Sequence, residues 1–441
     1  MKKRLYEHID NAPLVLFRIF FGFLLACETF GAIATGWVKN NFILPKFTFS
    51  HIGMDWLQPL PGIGMYFYFA AMGILGITIM LGYKYRFSMI AYTVLWAGVY
   101  FMQKTSYNNH YYLLMLVSLI MCFLPANAYA SVDAKLNPAI KKYSMPAWCS
   151  WIMIAQVSIV YFYATVAKFY PDWLNGNFTY NLLSQSVKPE GFKDIIATRW
   201  FALFIAYAGI AFDLLVVPFM LFNRTRTIAF IASFIFHIFN SLTLQIGIFP
   251  FFALSFAIFF YPPETIRRIF FKKKPRVFLP APEHEGQNIV RWFFIPYLII
   301  QLLLPLRHHL IKGDVLWTEE GHRLSWRMML RNRNGYTRFT VKDKATGAIL
   351  PYDAGSELTP KQNSVMATRP DMIWQMAQHI KNDFAAKGTN VAVFAESSVA
   401  INHGPYTRFI DPEADLAAAD WHYFSHSPWI LLYDENGNNI R

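Results

Sequence analysis

One lysine and two histidines stand in strongly apolar stretches of this sequence. Lys168 directly follows the apolar run Trp148–Ala167, His110 opens another such run, and His237 lies inside Ile231–Phe239. Shielding from water at the rim of a membrane helix favours the neutral form of an amine, and a neutral amine can act as a base. An imidazole in apolar surroundings is costly without a partner. These residue types predict proton transfer in a dry site, provided that the three side chains meet.

Structural alternatives exist for each of these residues. Lys168 could extend its amine to the lipid headgroups or pair with Asp172, four residues further on. His110 could bond a loop carbonyl at the membrane interface. Among the other intramembrane ionisable groups, Arg18 and Asp213 are expected nearer the inner ends of their spans, as a structural ion pair or as interface anchors. Glu28, towards the outer end of its span, is a weaker candidate for the site.

The elements that must position these residues are apolar helices. The 441 residues are 55% hydrophobic and 18% aromatic, and the apolar residues come in long runs. Such runs predict a polytopic α-helical membrane protein with about nine transmembrane helices. The expected spans are Pro13–Ile33, Ile63–Leu81, Phe87–Met102, Tyr111–Leu124, Trp148–Ala167, Trp200–Phe222, Ile228–Leu244, Ile246–Tyr261 and Trp292–Leu306.

The net charge of +13 sorts by connection, which predicts membrane orientation. Most loop cations fall on one side: Lys2, Lys3, Arg4, Lys84, Arg86, Lys135, Lys141, Lys142, Arg224, Arg226, Arg267, Arg268, Lys272, Lys273, Lys274, Arg276 and Arg291. The other side has fewer: Lys39, Lys46, Lys104, Lys188, Lys193 and Arg199. We expect a cytoplasmic N-terminus, an uncleaved first span and an extracytoplasmic C-terminus, with Lys168, His110 and His237 all in the outer half of the bilayer.

The chain is expected to divide at residue 306. Residues 1–306 would form the transmembrane catalytic domain, with Pro262–Gln287 as a flexible basic link, and residues 307–441 a mostly β extracytoplasmic domain. In the second part, Tyr336–Asp343, Asn390–Phe394 and Val399–Ile401 are typical of strands, and Pro370–Lys387 has helical periodicity.

Several classes of function are disfavoured by the same sequence. The charge sorting points to the lipid bilayer as a partner and away from nucleic acid. No phosphate-binding or dinucleotide-binding glycine pattern occurs, and no Cys/His spacing is typical of a metal site, so no metal is expected. The three cysteines, Cys27, Cys122 and Cys149, lie in or beside spans, so the C-terminal part must fold without disulfides.

At these residues the chain resembles the vitamin K-dependent γ-glutamyl carboxylase family, over nearly its whole length. In the membrane part the similar segments are Arg18–Phe23, Lys104–Tyr112, Ile159–Lys168 with Asp172, Trp173 and Gly176, and Phe236–Phe249 with His237, Asn240 and Ser241. In the C-terminal part they are Leu304, Pro305, His308, Gly313, Trp317, Ser325, Trp326, Met328 and Met329.

The resemblance implies a specific chemistry. Such an enzyme oxidises reduced vitamin K, a menaquinol-type naphthohydroquinone, to its epoxide with O2. The strongly basic oxygenated quinone removes a γ-proton from a peptide glutamate, and the carbanion adds to CO2. Lys168 would be the base that deprotonates the hydroquinone, and His110, Asn109, His237 and Asn240 would position it. Ser325, Trp326, His322 and His308 would hold the glutamate-containing peptide.

Three departures from the family pattern make the glutamate-facing segment more basic. His322 replaces an aromatic residue, Arg327 an acidic one and Arg331 a histidine. Quinol oxidation is therefore better supported than carboxylation. A membrane quinol epoxidase without peptide carboxylation and a non-enzymatic membrane module remain alternatives. The expected location is a bacterial inner membrane.

Overall fold

The computed structural model describes residues 5–186, 198–244, 247–276, 284–328, 330–434 and 439–440. Lys2, Lys3, Arg4, Lys188, Lys193, Ile246 and Met329 lie outside these residues. Two compact units are present. The first comprises Met1–Val38, Ile63–Val99 and Asn108–Leu302, and the second Lys39–Gly62, Tyr100–Tyr107 and Leu303–Arg441.

The first unit is helical, and a helix lies at each of the nine expected spans. Its long helices are α1 (Ala12–Ala34), α2 (Gly64–Leu81), α3 (Tyr85–Met102), α4 (Asn109–Met121), α5 (Trp148–Val166), α6 (Arg199–Leu221), α7 (Arg226–Leu244), α8 (Phe249–Ser255, continued by the 3-10 turn Phe256–Phe259) and α9 (Ile295–Leu303).

Five helices of the described chain are long and apolar enough to cross a membrane: α1, α2, α5, α6 and the stretch Gln287–Leu310 that contains α9. A sixth is present if Phe249–Phe259 and Pro263–Phe270, which meet at 115°, form one bent span. The apolar helices Asn109–Met121 and Arg226–Leu242 are shorter. Nine crossings stay a prediction.

Helices α1 and α2 pack backbone against backbone. A Cβ atom on Gly22 would come 2.3 Å from the Met80 nitrogen, and one on Gly76 would come 2.7 Å from the Ala26 nitrogen. Small residues allow such close approach, and apolar helices in lipid depend on it because hydrophobic burial adds little there. This crossing holds α1 firmly in the bundle.

Arg18 of α1 is completely buried and binds backbone oxygens. Its Nη2 atom donates to the Ala130 carbonyl at 2.6 Å and Nη1 to the Ala126 carbonyl at 3.3 Å. Gly82, with φ of 64°, leaves room for this guanidinium, because a Cβ there would lie 2.4 Å from Nη1. Arg18 therefore anchors α1 to the loop after α4.

The expectation of a flexible link at Pro262–Gln287 is wrong for much of its length. Pro263–Phe270 is a helix, and Lys274 is buried with its amine bonded to Asp10. Asp10 belongs to strand β1 (His8–Asp10), which pairs with β2 (Ser144–Pro146). A buried ammonium needs a carboxylate partner, and this pairing ties the segment to the N-terminus.

The second unit contains an antiparallel sheet in the order β4–β3–β5–β6, with β3 at Arg333–Asp343, β4 at Ile349–Leu350, β5 at Val391–Ile401 and β6 at Thr407–Arg408. The two predicted strands Asn390–Phe394 and Val399–Ile401 are one continuous strand. Helices α10 (Pro360–Met366) and α11 (Pro370–Ala386) accompany the sheet, and Met372, Ile373 and Ile380 of α11 share a core with the strands. The domain is thus mixed rather than mostly β.

Two loops from the first third of the chain complete this second unit. Phe49 is fully buried in its core, and the Lys104 amide donates to the Phe49 carbonyl at 2.6 Å. Gln375 of α11 donates to the Ser50 carbonyl at 3.0 Å. The boundary proposed at residue 306 stays a prediction for the domains, but the compact units themselves are discontinuous in sequence.

Candidate functional site

Lys168 lies just beyond the end of α5 and is 9% exposed. Its amine donates to the carboxylate of Asp213 on α6 and to the Ala164 carbonyl at 3.3 Å, and lies 5.3 Å from the centre of the Trp173 ring. The Trp173 indole in turn donates to the Ala206 carbonyl of α6 at 3.0 Å. These contacts hold the lysine against α6.

The structure identifies a carboxylate partner of Lys168. Asp172 accepts a hydrogen bond from Asn177 at 3.4 Å, and the carboxylate that meets the lysine is Asp213. Asp213 was expected nearer the inner end of its span, yet it is buried beside Lys168. The sequence signal was present, since a carboxylate inside an apolar span is a functional candidate by default. What the sequence did not reveal is that this carboxylate meets Lys168.

His237 of α7 is buried among aromatic rings. Its Nε2 atom lies 3.0 Å from the hydroxyl of Tyr161 on α5, and Phe212 and Phe236 meet the imidazole edge to face. Tyr161 lies in the last two turns of α5, seven residues before Lys168 in the sequence. Tyr161 lies within the similar segment, but residue spacing alone does not single it out as a site residue.

His110 of α4 joins His237 at one aromatic ring. It stacks on Phe249 of α8 with ring centres 3.6 Å apart, and His237 approaches the same ring at 6.1 Å, nearly perpendicular to it. Asn109 is buried one residue before His110, and the half-buried Asn240 follows His237 by three residues. The structure thus brings both histidines to the same aromatic ring, that of Phe249.

The second unit contains the residues expected to hold the peptide, on a strained loop. Leu324 and Trp326 have φ angles of 62° and 58°, in the left-handed region that non-glycine residues rarely adopt. Trp326 is fully buried, and the hydroxyl of Ser325, also buried, donates to the His322 carbonyl. Strain of this kind concentrates at functional sites. Because the side chains of Ser325 and Trp326 are both buried, they hold the conformation of the loop.

His322 and His308 have different surroundings. Burial, followed by the charges of nearby arginines led by Arg369, lowers the pKa of His322 well below its ordinary value, so this imidazole is neutral at pH 7. Its buried Nδ1 atom has no hydrogen-bond partner among the described residues. His308 donates from Nδ1 to the Pro305 carbonyl at 2.8 Å, and its Nε2 atom lies 3.5 Å from Arg327.

Two buried carboxylates gather cations around this loop. Asp371 accepts from Lys104 at 2.8 Å and twice from Arg323 at 3.2 Å. Burial alone would raise the pKa of Asp371, but the charges of Arg323 and Lys104 outweigh it and hold this pKa well below the ordinary value.

Glu319 is the second carboxylate. It bonds Arg331 and Arg369, and Arg333 lies 3.6 Å away. Five cationic side chains thus contact two carboxylates, which leaves a surplus of positive charge at the loop.

Glu357, His379 and Asp383 are the one group of three potential metal ligands that the described part of the chain brings together. His379 Nε2 lies 2.8 Å from Glu357 and 3.5 Å from Asp383, so hydrogen bonding and ion pairing account for the cluster. The expectation that no metal is required stays a prediction.

Comparison with known families covers most of the chain. The family model of the HTTM domain matches residues 6–264, more than half of the sequence, and that of the vitamin K-dependent gamma-carboxylase lumenal domain matches residues 286–436. No solved structure matches the chain. Its apolar helices and its HTTM domain make it an integral membrane protein. The chain belongs to the vitamin K-dependent gamma-carboxylase family.

Proposed function

We propose that this protein oxidises a naphthohydroquinone with O2 and couples that oxidation to γ-carboxylation of glutamate in a peptide. The observation that carries the proposal is the buried ion pair of Lys168 and Asp213, with Tyr161 and His237 on the same and neighbouring helices. Ionisable groups inside a helical bundle are expensive and mark functional sites more often than structural ones.

Lys168 is assigned as the base that takes a proton from the hydroquinone. An amine does this in its neutral form, so the ammonium of the ion pair first passes its proton to the Asp213 carboxylate, which is already bonded to Nζ, and the neutral amine then accepts the proton of the hydroquinone. His237 and His110 would bind the quinone oxygens, with the Tyr161 hydroxyl orienting His237. Asn109 and Asn240, on the same helices, would add hydrogen bonds.

The surroundings suit a lipid-soluble quinone. Phe249, Phe212 and Phe236 surround the histidines with flat apolar surfaces. An apolar groove of about 800 Å³ runs along α1, α7 and α8, and Phe23, Cys27, Phe234, Ile248 and Phe251 are among its lining residues. When bound, the hydroquinone supplies on oxidation the driving force for proton removal from glutamate and addition of CO2.

The acceptor is proposed to be a glutamate-containing peptide bound at the loop of Ser325 and Trp326. The surplus of guanidinium groups beside it favours an anionic ligand, because arginine pairs with carboxylates through two parallel hydrogen bonds. His322, His308 and Arg327 belong to the same surroundings. Ser325 and Trp326 are assigned to holding the loop in shape for the peptide.

The proposed topology has nine crossings, a cytoplasmic N-terminus and an extracytoplasmic second unit, in a bacterial inner membrane. The number of helices between the segments of the second unit supports this topology. The segments Lys39–Gly62, Tyr100–Tyr107 and Leu303–Arg441 fold into one compact unit, so they must lie on one side of a membrane. Two of the nine expected spans separate the first two segments and six separate the last two, and both numbers are even, as segments on one side require.

One assay tests the proposal against its alternatives. Purified protein receives a naphthohydroquinone, O2, labelled bicarbonate and a glutamate-rich peptide, and epoxide and fixed label are scored separately. Both products are expected. Epoxide without label would select a quinol epoxidase, an outcome that the buried positions of Ser325 and Trp326 make worth testing. Neither product would favour a non-enzymatic module.

Variants assign the residues in that assay. Lys168→Ala should abolish epoxide formation while the protein remains folded. Ser325→Ala and Trp326→Ala should weaken carboxylation and retain epoxidation. Normal epoxide yield from Lys168→Ala would contradict the assignment of the base, and equal loss of both products in the loop variants would mean that the loop only supports the fold.

A further inference from the structure

A half-buried carboxylate, Glu28 of α1, lies beside Tyr111 of α4 and beside the segment 247–249, whose Phe249 ring contacts His110. We propose that Glu28, together with Tyr111, binds the hydroquinone oxygen at the end of the ring opposite to the oxygen that faces Lys168. This inference rests on the proposed function, and it assigns a binding residue for the end of the ligand that Lys168 does not reach.

Two contacts connect Glu28 with elements that carry or contact His110. Its carboxyl group hydrogen-bonds the side chain of Tyr111, the residue that follows His110 on α4. A Cβ atom on Gly247 would come 3.9 Å from Oε2 of Glu28, and Gly247 precedes by two residues the Phe249 ring that stacks on His110. Glu28 therefore borders the same short segment, 247–249, as His110.

The apolar groove along α1 ends in the same region. Cys27, adjacent to Glu28, and Ile248, adjacent to Gly247, both line it. The residues that line the groove are almost all apolar, so a lipid-soluble molecule fits along it, and Glu28 directly follows the lining residue Cys27 in the sequence. A hydroquinone with an isoprenoid tail matches such a groove, because its long tail is apolar and its hydroxyl groups are confined to the ring at one end of the molecule.

A 1,4-hydroquinone needs two hydrogen-bond acceptors in its binding site. Its hydroxyls lie at opposite ends of one ring, and each must donate its hydrogen to an acceptor when the ring leaves water. Lys168 and Asp213 serve one end in the proposed mechanism. Glu28 serves the other, because a carboxylate is the strongest hydrogen-bond acceptor among side chains and can bond Tyr111 and the ligand at once.

The competing role for Glu28 is purely structural, as a polar link between α1 and α4. Equilibrium binding under anaerobic conditions, where no turnover occurs, separates the two roles. The ligands are an isoprenyl naphthohydroquinone and its two monomethyl ethers, each of which blocks one hydroxyl. The proteins are the full-length wild type, Glu28→Gln, which keeps the side-chain volume, and Thr29→Val, a buried neighbour whose hydroxyl bonds the Leu25 carbonyl at 3.0 Å.

One of the two monomethyl ethers has its blocked hydroxyl at the end of the ring that faces Glu28. Wild type and Thr29→Val should bind this ether about tenfold more weakly than the parent hydroquinone, and Glu28→Gln should lose most of that difference. Glu28→Gln should also bind the parent about tenfold more weakly. A lowered melting temperature of Glu28→Gln with wild-type affinities for all three ligands would overturn the inference and leave the structural role. Wild type that binds none of the ligands would instead refute the proposed function itself.

Discussion

At the scale of single residues, the molecule depends on which charges are buried together. Lys168 and Asp213 share an ion pair whose side chains are 11% and 6% exposed. Removing one member of a buried pair leaves the other uncompensated, which is far more damaging than replacing both. In the proposed mechanism Asp213 also holds a proton, so it should matter to the reaction beyond its effect on folding.

The first prediction concerns this carboxylate. Asp213→Asn should lower hydroquinone-dependent turnover by about a hundredfold, because general acid–base groups contribute about 10²–10⁴-fold. Asp172→Asn is the matched control, since its carboxylate bonds Asn177, and it should stay within a few-fold of wild type. Steady-state epoxide formation measures both. Equal losses in the two variants would contradict a special role for Asp213.

At the scale of elements, close helix crossing decides whether the site can form. Glu28 belongs to α1, and α1 is held by its crossing with α2 at Gly22 and Gly76. Both positions lack space for a methyl group because the neighbouring atoms belong to the backbone, which cannot move aside as a flexible side chain could.

We therefore expect Gly22→Ala to be destabilising by about 1–3 kcal/mol or more, the usual cost of overpacking. Gly31→Ala on the same helix should be neutral or slightly stabilising, because nothing lies within 4 Å of the added carbon and alanine favours helix. Thermal unfolding in detergent compares them. A similar melting temperature for both variants would show that the α1–α2 crossing can adjust.

In the second unit, the carboxylate of Asp371 joins α11 to the segment Tyr100–Tyr107. Arg323→Met removes one of its two cations and should cost about 3–5 kcal/mol, the range for breaking a buried pair. Lys344→Met breaks the more exposed Lys344–Asp415 pair and should cost about 0–1 kcal/mol. Chemical unfolding followed by tryptophan fluorescence would reveal the difference. Equal costs in the two variants would mean that the remaining pair of Asp371 and Lys104 compensates fully for the loss of Arg323.

At the scale of the whole molecule, distant chain segments build the second unit, and acid should weaken it. His51 of the segment Lys39–Gly62 stacks on Tyr100 at 5.3 Å and meets Phe101 at 5.1 Å. Burial, followed by the charges of Arg323 and Lys104, lowers the pKa of His51 from 6.5 to about 3. His51 therefore takes up a proton at a higher pH in the unfolded protein than in the folded protein.

The sign of the resulting pH dependence is clear. Above pH 6.5 both forms are neutral, and as the pH falls towards 3 the unfolded form gains the proton first, so stability falls by up to about 1.4 kcal/mol per pH unit. His51→Phe keeps the ring but cannot be protonated. Its melting temperature should fall less than that of wild type between pH 7 and pH 5. An identical fall would show that other groups dominate.

The sequence alone determined the helical membrane character, the positions of nine helices and, in the C-terminal part, the two long strands and the helix Pro370–Ala386. It also singled out Lys168, His110 and His237 as candidate site residues, and their roles stay predictions. These features are written in local patterns, such as apolar runs, helical periodicity and alternation, together with family motifs around the titratable residues. Neighbouring residues are enough to read them.

Only the tertiary structure decided which residues meet. Asp213 reaches Lys168 across 45 residues of sequence, Tyr161 reaches His237 across 76, and Lys104 reaches Asp371 across 267. Hydropathy and charge counts assign a residue to a span or a loop, but they do not specify helix rotation or which helices are neighbours. Close packing at positions such as Gly22, and the need of each buried charge for a partner, settle both. That is why the sequence offered Asp172 only as a possible partner of Lys168, whereas the structure pairs this lysine with Asp213.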